Sequence, residues 1–199
     1  QIAGREAYWM AEAARMVEAN GAAFIDINMG CPAKKVTNGY SGSALLKDLD
    51  HALTLIEAVV AAVKVPVTLK TRLGWDDALL NAAELGQRAE GAGIRMITIH
   101  GRTRCQFYKG SADWAAIAEI KDAVSIPVIA NGDIVDSTKA RKAMTLSGAD
   151  GVMIGRGAQG RPWALAEIAA DLFGTKRPVQ PTPPEFAAMV AEHYEAMIA

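Results

Sequence analysis

The sequence predicts an α/β fold, an incomplete TIM (β/α)8 barrel, and three observations support this prediction. Five short β-rich runs recur about every 25 to 40 residues, each followed by a helical stretch. The runs are almost continuously apolar, as expected of parallel strands covered on both sides. Each run ends in polar residues or glycines, which is typical of a barrel, whereas an open doubly wound sheet concentrates its ligand at one switch point. The runs are 24–29, 65–72, 96–102, 126–133 and 152–156.

The intervening segments carry apolar residues at three-and-four spacing behind an Asp or Ser that can cap a first turn, which predicts amphipathic helices. Gly21, Gly91 and Gly148 each follow a helix and precede the next strand, so each is expected to form a left-handed C-terminal cap. Pro66 and Pro127 stand at strand entrances, where a missing amide hydrogen is tolerated. The predicted helices are 50–63, 76–90, 111–123 and 136–146.

The two ends of the chain predict a fragment of a longer protein. Gln1 lies in what reads as the end of a strand, and the last residues lie inside an apolar-periodic helix. Residues 1–177 are therefore expected to form a partial barrel that lacks its first strands. Residues 178–199 are expected to be a proline-rich linker and the first helix of a second, helical domain. A capping-box pattern at 182–185 marks the predicted start of that helix.

The composition predicts a globular protein in the cytoplasm. Hydrophobic residues make up 51% of the chain and charged residues 22%, and the net charge of −1 gives no indication of nucleic-acid binding. The longest apolar runs, such as 58–63, fall well short of the roughly 18 to 20 residues that span a bilayer. Cys31 and Cys105 lie far apart, without a C-x-x-C pair or a histidine and carboxylate set at ligand spacing, so no metal is expected.

The glycine-rich segment 151–162 is the first candidate site. Its apolar strand passes through four glycines to a predicted helix with Pro162 near the first position. Such a loop can close its backbone amides on a phosphate, and Arg156 adds positive charge. The neighbouring segment 131–133 supplies a second loop. The alternative is a tight turn that needs glycine for conformational reasons alone.

Lys70 and His100 end two of the other runs. Lys70 and Arg72 are expected to point to the two faces of their strand, or one of them to lie past its end. A lysine inside a barrel requires an anion or polar acceptor, so Lys70 is a functional candidate, with an exposed strand-end lysine as the alternative. His100 could be a satisfied core histidine, but the neighbouring Arg102 and the other strand ends favour a ligand contact.

Cys31 follows a strand directly, in a turn where an apolar packing role would be unusual. A thiol with its ordinary pKa of about 8.5 could act as a general acid, while a lowered pKa would make it a nucleophile. The residues alone leave this choice open, and a small buried hydrophobe is the third possibility. The loop 103–110 is basic and aromatic, which suits it to clamping a nucleotide, although a mobile loop explains it equally well.

Five motifs in order resemble the bacterial tRNA-dihydrouridine synthases, and the similarity extends over essentially the whole chain. The sequence Met-Gly-Cys-Pro-Ala-Lys-Lys-Val within the first motif is most similar to the B-type branch of that family. The motifs are 26–36, 68–70, 98–103, 130–133 and 155–156.

The resemblance implies an FMN across the C-terminal mouth of the barrel, reduced by NADPH or NADH. A hydride then passes to carbon-6 of a specific uridine in the tRNA D-loop, and a cysteine delivers a proton to carbon-5. The cysteine in the matching motif is Cys31, so the resemblance selects the general acid. Residues 178–199 would begin the C-terminal domain that binds tRNA. We expect a monomer that needs neither a metal nor a membrane.

The resemblance also assigns the remaining sites. By the matching motifs, Gln1, Lys70 and His100 would contact the flavin; Asn131, Gly132, Asp133, Gly155 and Arg156 would hold its phosphate; and Asn28 and Arg102 would contact the substrate.

Two alternative functions remain open. One is an FMN-dependent barrel reductase of a small pyrimidine or enone. The second is a non-catalytic flavin or tRNA-binding protein in which Cys31 is dispensable.

Overall fold

The structure is a computed structural model that describes residues 1–198, and its centre is one parallel β-sheet. The five strands lie in chain order, and every neighbouring pair is parallel. Ile2 adds a parallel bridge to Ile27 on the free side of the first strand. The strands are β1 (Ile25–Asn28), β2 (Val67–Arg72), β3 (Ile97–His100), β4 (Val128–Asn131) and β5 (Gly151–Met153).

This strand order confirms the predicted fold class. A doubly wound sheet reverses its strand order at a switch point, whereas a barrel adds each strand beside the previous one. The sheet is thus an arc of a (β/α)8 barrel. Helices alternate with the strands: α1 (Ala7–Ala19), α2 (Lys34–Thr37), α3 (Leu49–Ala62), α4 (Ala82–Gly91), α5 (Ile117–Ala123), α6 (Ser137–Ser147), α7 (Ala164–Phe173) and α8 (Pro183–Ile198).

The start of the predicted helix 76–90 and the cap predicted after it were both wrong for local reasons. Helix α4 begins at Ala82 instead of residue 76, because the Asp76 carboxylate accepts from the N–H groups of Ala78 and Leu79 and closes a separate turn. Gly91 is the last residue of α4 and not a left-handed cap; Gly93 takes the positive φ of 104° instead. The left-handed cap predicted at the end of α6 is confirmed, with φ 64° at its glycine.

Alternate side chains of the strands face two different environments. Ile97 and Ile99 of β3 are fully buried, and Ile97 packs near Gly86 of α4. Thr98 and His100 therefore point to the opposite face, toward the barrel interior. The helices cover one face of the sheet, and the other face carries the polar side chains.

The same alternation corrects the expectation for β2. Lys70 and Arg72 lie two residues apart in a regular strand, so they point to the same face. Their positive charges are close enough that Arg72 lowers the pKa of Lys70. In the parallel register Lys70 lies beside Thr98, and Arg72 lies beside His100. The interior face of β2 thus brings two cations to the histidine of β3.

The last part of the described chain is a helix beside the barrel. The Glu185 carboxylate accepts from the backbone N–H of Thr182 at 2.8 Å, which confirms the predicted helix start. Phe186 packs edge-to-face on Trp163 with ring centroids 5.5 Å apart, and no residue within 183–198 is buried. The division into domains at residues 177 and 178 stays a prediction. Within residues 1–198, every helix is too short or too polar to cross a membrane.

Candidate functional site

A cavity of about 540 Å³ opens at the carboxyl ends of β2 to β5. It gathers seven of the residues that the sequence singled out, and they come from four different strands or the loops that follow them. The parallel arrangement explains this, because the carboxyl ends of all parallel strands meet at one edge. The seven residues are Lys70, His100, Asn131, Gly132, Asp133, Gly155 and Arg156.

Lys70 is a cation held inside the barrel without a hydrogen bond to any group in residues 1–198. Burial lowers the pKa of Lys70, the neighbouring Arg72 lowers it further, and Asp26 opposes both. A half-buried ammonium loses part of its hydration. A ligand with an anionic or carbonyl acceptor would satisfy it.

His100 lies on the floor of the cavity and is neutral. Burial lowers the pKa of its imidazole to about 3, and the charges of Arg72, Lys70 and Arg102 act in the same direction, while Asp133 opposes them. A neutral imidazole has one N–H donor and one acceptor nitrogen. His100 therefore offers hydrogen bonding to a ligand without adding charge.

The low pKa of His100 predicts that acid destabilises the ligand-free protein. Between pH 6.5 and about 3 the unfolded histidine binds a proton that the folded one excludes, so the free energy of unfolding falls as the pH is lowered through this window. From pH 7 to pH 5 we expect this one group to lower the free energy of unfolding by about 2 kcal/mol. Urea unfolding of wild type and His100→Gln at both pH values measures it. An equal loss in the two proteins would contradict the prediction.

The loop after β4 holds Asp133 in a left-handed conformation, with φ 55°. Its carboxylate accepts from Arg102 Nη2 at 2.6 Å and from the Ala112 N–H at 2.8 Å, and Arg156 Nη2 lies 3.4 Å away. Burial raises the pKa of Asp133, but these hydrogen bonds outweigh it and the net pKa is lowered. A φ above zero is costly for a residue other than glycine. Asp133 is thus held by contacts from three sides.

Two glycines let the cavity loops approach each other. A Cβ on Gly157 would lie 2.5 Å from the carbonyl oxygen of Ile134, and one on Gly132 would lie 2.9 Å from His100 Cδ2. Beside them, the space around Gly155 is open. A three-residue 3-10 turn follows Gly155, and α7 begins at Ala164, two residues after Pro162, so the helix predicted near Pro162 is confirmed.

A second cluster forms around the turn that carries Cys31. The Asn28 Oδ1 accepts from the N–H groups of Gly30 and Cys31, each at 3.0 Å, and its Nδ2 donates to Gln1 Oε1 at 2.8 Å. The Ser43 hydroxyl donates to the Cys31 carbonyl at 2.8 Å. The structure thus places Gln1 and Asn28 next to the thiol turn, where Asn28 shapes that turn. The half-buried thiol itself is free.

Gly42 is required for this turn. It has φ 59°, and a Cβ there would lie 2.9 Å from the Cys31 carbonyl oxygen and 3.1 Å from Cys31 Cβ. We expect Gly42→Ala to displace the turn and to change the rate at which a thiol reagent modifies Cys31. Gly174→Ala is the matched control, because Gly174 has φ 67° with nothing within 4 Å.

Both glycine substitutions should cost about 1 to 2 kcal/mol of stability from backbone strain. Only Gly42→Ala should alter the labelling of Cys31, which mass spectrometry resolves from the labelling of the exposed Cys105. An unchanged Cys31 rate in Gly42→Ala would contradict the prediction.

Arg72 connects the thiol turn to the loop that borders the cavity, and no role was predicted for it from the sequence. Its Nε donates to the Gly30 carbonyl at 2.8 Å, and its Nη1 donates to the carbonyls of Thr103 and Phe107 at 3.0 and 2.9 Å. The guanidinium carbon also lies 5.6 Å from the ring centre of Tyr108. The two-residue spacing from Lys70 was the signal that could have identified Arg72, because it places both side chains on the interior face.

The loop after β3 covers the cavity from one side. Tyr108 lines the cavity, with its ring centre 5.2 Å from the guanidinium carbon of Arg156 and 6.4 Å from the His100 ring. Lys139, in the first turn of α6, also lines the cavity. The sequence identified Tyr108 only as part of an aromatic loop, and Lys139 resembled an ordinary lysine on a helix surface.

Arg102, predicted to contact substrate, has a side chain that is only 2% exposed. Its donors face protein groups, among them the carbonyls of Lys109 and Gly110 at 3.0 and 2.7 Å. A direct contact between Arg102 and a substrate stays a prediction, but this burial favours an indirect role. Within residues 1–198 there is no group of three His, Cys, Asp or Glu that could hold a metal ion.

The fold and this site define a class: a (β/α)8-barrel protein with a cationic cavity at the carboxyl ends of its strands and a free thiol on the neighbouring turn. The dihydrouridine synthase (Dus) family matches the chain over residues 1–199. The chain belongs to the Dus family.

Curated relatives agree with this membership. A probable tRNA-dihydrouridine synthase of Rhodobacter capsulatus is 65% identical over 198 residues, which cover 100% of this chain and 61% of that protein. The tRNA-dihydrouridine synthase B of Pseudomonas syringae pv. tomato is 51% identical over 197 residues, which cover 99% of this chain and 58% of that protein. The chain thus spans less than two thirds of the length of these relatives.

Solved structures support the fold alone. A putative mandelate racemase/muconate lactonizing enzyme from Labrenzia alexandrii has 17% identity and a TM-score of 0.60, over 84% of this chain and 40% of its own. A mandelate oxidase has 24% identity and a TM-score of 0.54, over 84% of this chain and 50% of its own.

Proposed function

We propose that this chain carries the catalytic barrel of a tRNA-dihydrouridine synthase, a cytoplasmic monomer that uses FMN and NADPH. One observation carries the proposal. The Cys31 turn and the cationic cavity are neighbours in the sheet, because Asn28 at the end of β1 pairs with Lys70 on β2, and Arg72 donates to Gly30. A free thiol thus stands at the edge of a cavity that, we propose, binds a phosphate-bearing cofactor.

The residues present fit FMN. Gly132 and Gly157 form a close-packed floor that side chains would fill, and Gly155 leaves open space next to it. Arg156, whose side chain is 61% exposed, and Lys139 supply positive charge to the same cavity. These groups suit a terminal phosphate, whereas Lys70 and His100 offer donors to a neutral ring with carbonyl acceptors.

Bound FMN would supply the hydride that reduces carbon-6 of the uracil. The residues of this chain then have separate tasks. Lys70 and His100 would orient the ring system, and Cys31 would give its thiol proton to carbon-5, where the reduction leaves enolate-like charge. Asn28 would keep the thiol turn in place through its two backbone hydrogen bonds, and we propose that it also lies beside the substrate.

The substrate uridine would have to leave its stack in the tRNA to reach this cavity. Unstacking a base costs a few kcal/mol, which contacts elsewhere on the tRNA must offset. The exposed aromatic rings of Phe107 and Tyr108 stand beside the cavity and suit the stacking of an extruded base.

The test uses the full-length gene product. Protein purified from a host should be yellow and release FMN on denaturation, and with NADPH it should form dihydrouridine in unmodified tRNA. Free uridine and a small enone serve as comparison substrates. Flavin binding with reduction of only the small molecule would contradict a tRNA-modifying function and support the small-molecule reductase. A protein that retains no flavin would contradict the FMN site.

A further inference from the structure

Arg102 is a buried cation that joins two loops of the cavity. Its Nη2 donates to Asp133 Oδ2 at 2.6 Å and to the Gly110 carbonyl at 2.7 Å, and its Nε donates to the Lys109 carbonyl at 3.0 Å. The remaining nitrogen, Nη1, lies 3.2 Å from His100 Nε2. Arg102 thus contacts the loop after β3, the loop after β4 and the imidazole at the same time.

The contact between Arg102 and His100 determines where the imidazole proton lies. A guanidinium has N–H donors and no acceptor, so His100 Nε2 must accept with its lone pair. A neutral imidazole then carries its single proton on Nδ1. A ring turned by 180° would place Cε1–H against the same guanidinium N–H and lose the hydrogen bond, so the hydrogen-bond network selects the observed orientation.

Full protonation of His100 is unfavourable in this setting. The groups that face the imidazole are Lys70 and Arg72 from β2, Arg102 from the end of β3 and Asp133 from the loop after β4. Three cations against one carboxylate, together with burial, favour the neutral ring, whose pKa is about 3. The choice near neutral pH is therefore between two neutral tautomers.

The other ring nitrogen remains available to a ligand. His100 lines the cavity, and within residues 1–198 no protein group is hydrogen-bonded to its Nδ1. Gly132 packs against the Nε2–Cδ2 edge of the ring, the edge away from Nδ1, where a Cβ would lie 3.0 Å from Nε2. The ring is thus held along its Nε2 edge, and the rest of it borders the cavity.

We propose that Arg102 is a positioning residue that fixes His100 as the neutral Nδ1–H tautomer, so that the ring presents one hydrogen-bond donor to an acceptor atom of the ligand. The inference rests on the proposed function only for the identity of that ligand, FMN. It gives Arg102 a role that needs no contact with the substrate. It also explains why an arginine, whose several donors diverge, stands where two carbonyls, a carboxylate and an imidazole meet.

Nitrogen NMR of the full-length protein labelled with ¹⁵N-histidine tests the proposal directly. At pH 7, with and without FMN, the His100 signals should show a protonated Nδ1 and an unprotonated Nε2, with His100→Gln giving the assignment. An Nε2–H tautomer or a doubly protonated ring in wild type would overturn the proposal. The flavin-free sample gives this result whether or not FMN binds, so failure of the proposed function is a separate outcome.

Two substitutions of Arg102 form a matched pair. Arg102→Lys keeps a cationic N–H donor of nearly the same reach toward His100 Nε2, whereas Arg102→Met has none. The lysine variant should retain the Nδ1–H tautomer, and the methionine variant should lose that preference and bind FMN about tenfold more weakly, the scale of one hydrogen bond. Identical tautomers in wild type and Arg102→Met would contradict the proposal. If Arg102→Met does not fold, the wild-type spectrum still decides.

Discussion

Replacing Cys31 by alanine is expected to lower the rate of dihydrouridine formation by at least about a hundredfold, the usual scale for removing a general acid. The flavin should stay bound and should still be reduced by NADPH, because within residues 1–198 the thiol makes no hydrogen bond and does not line the cavity. Stopped-flow absorbance of the flavin measures its reduction, and chromatography of digested tRNA measures the product. The expected signature is a fast reduction by NADPH followed by a slow reaction with tRNA.

Cys105→Ala is the matched control for Cys31→Ala. Cys105 is exposed in the loop after β3 and is not among the residues that line the cavity. Its removal should change neither step of the reaction. Full activity in Cys31→Ala would contradict the proposal that this thiol is the general acid and would indicate that the turn has no catalytic role. Loss of flavin from Cys31→Ala would show instead that the residue is structural.

Replacing Lys70 by methionine should affect binding and stability in opposite directions. Methionine keeps most of the side-chain length and removes the charge. FMN binding should weaken about a hundredfold, the scale of one charge-assisted hydrogen bond. The ligand-free protein should become more stable by about 1 kcal/mol, because Lys70 is half-buried beside the like charge of Arg72 and has no hydrogen-bond partner within residues 1–198. Flavin fluorescence titration and thermal unfolding measure the two effects.

Lys176→Met is the control for the lysine substitution. Lys176 lies exposed after α7, outside the cavity, so its replacement should leave both FMN affinity and stability close to wild type. Lower stability of Lys70→Met would mean that the ammonium is well solvated or paired in the ligand-free protein. Unchanged affinity would mean that no ligand acceptor meets Lys70.

The strands were predicted more accurately than the helices because their signal is local. A nearly continuous apolar run identifies a strand covered on both faces, and all five predicted strands are present in the sheet. The start of α4 was wrong because Asp76, a good cap residue, closes a short turn instead. Capping residues stabilise turns as well as helices, so the sequence leaves that choice to the surrounding contacts.

The position of the candidate cavity could also be predicted, because parallel strands bring their carboxyl ends together at one edge of the sheet. Seven residues chosen from strand ends line one cavity, although what they bind stays a prediction. The contacts of Arg72 and Arg102 were predicted less well. Each has a long side chain whose partners lie far away in the chain: Arg72 reaches Gly30, 42 residues away, and Arg102 reaches Asp133, 31 residues away. Local patterns hold no information about such pairs.

The amino-acid sequence is sufficient to predict the α/β class, the order of strands and helices, and the position of Cys31 after a strand, because backbone preferences and apolar periodicity act over a few residues. Only the three-dimensional structure shows which cations surround His100 and which acceptors the donors of Arg72 and Arg102 meet. Those contacts depend on the register of neighbouring strands and on loops closing over them. The electrostatics of the cavity is therefore a property of the assembled sheet.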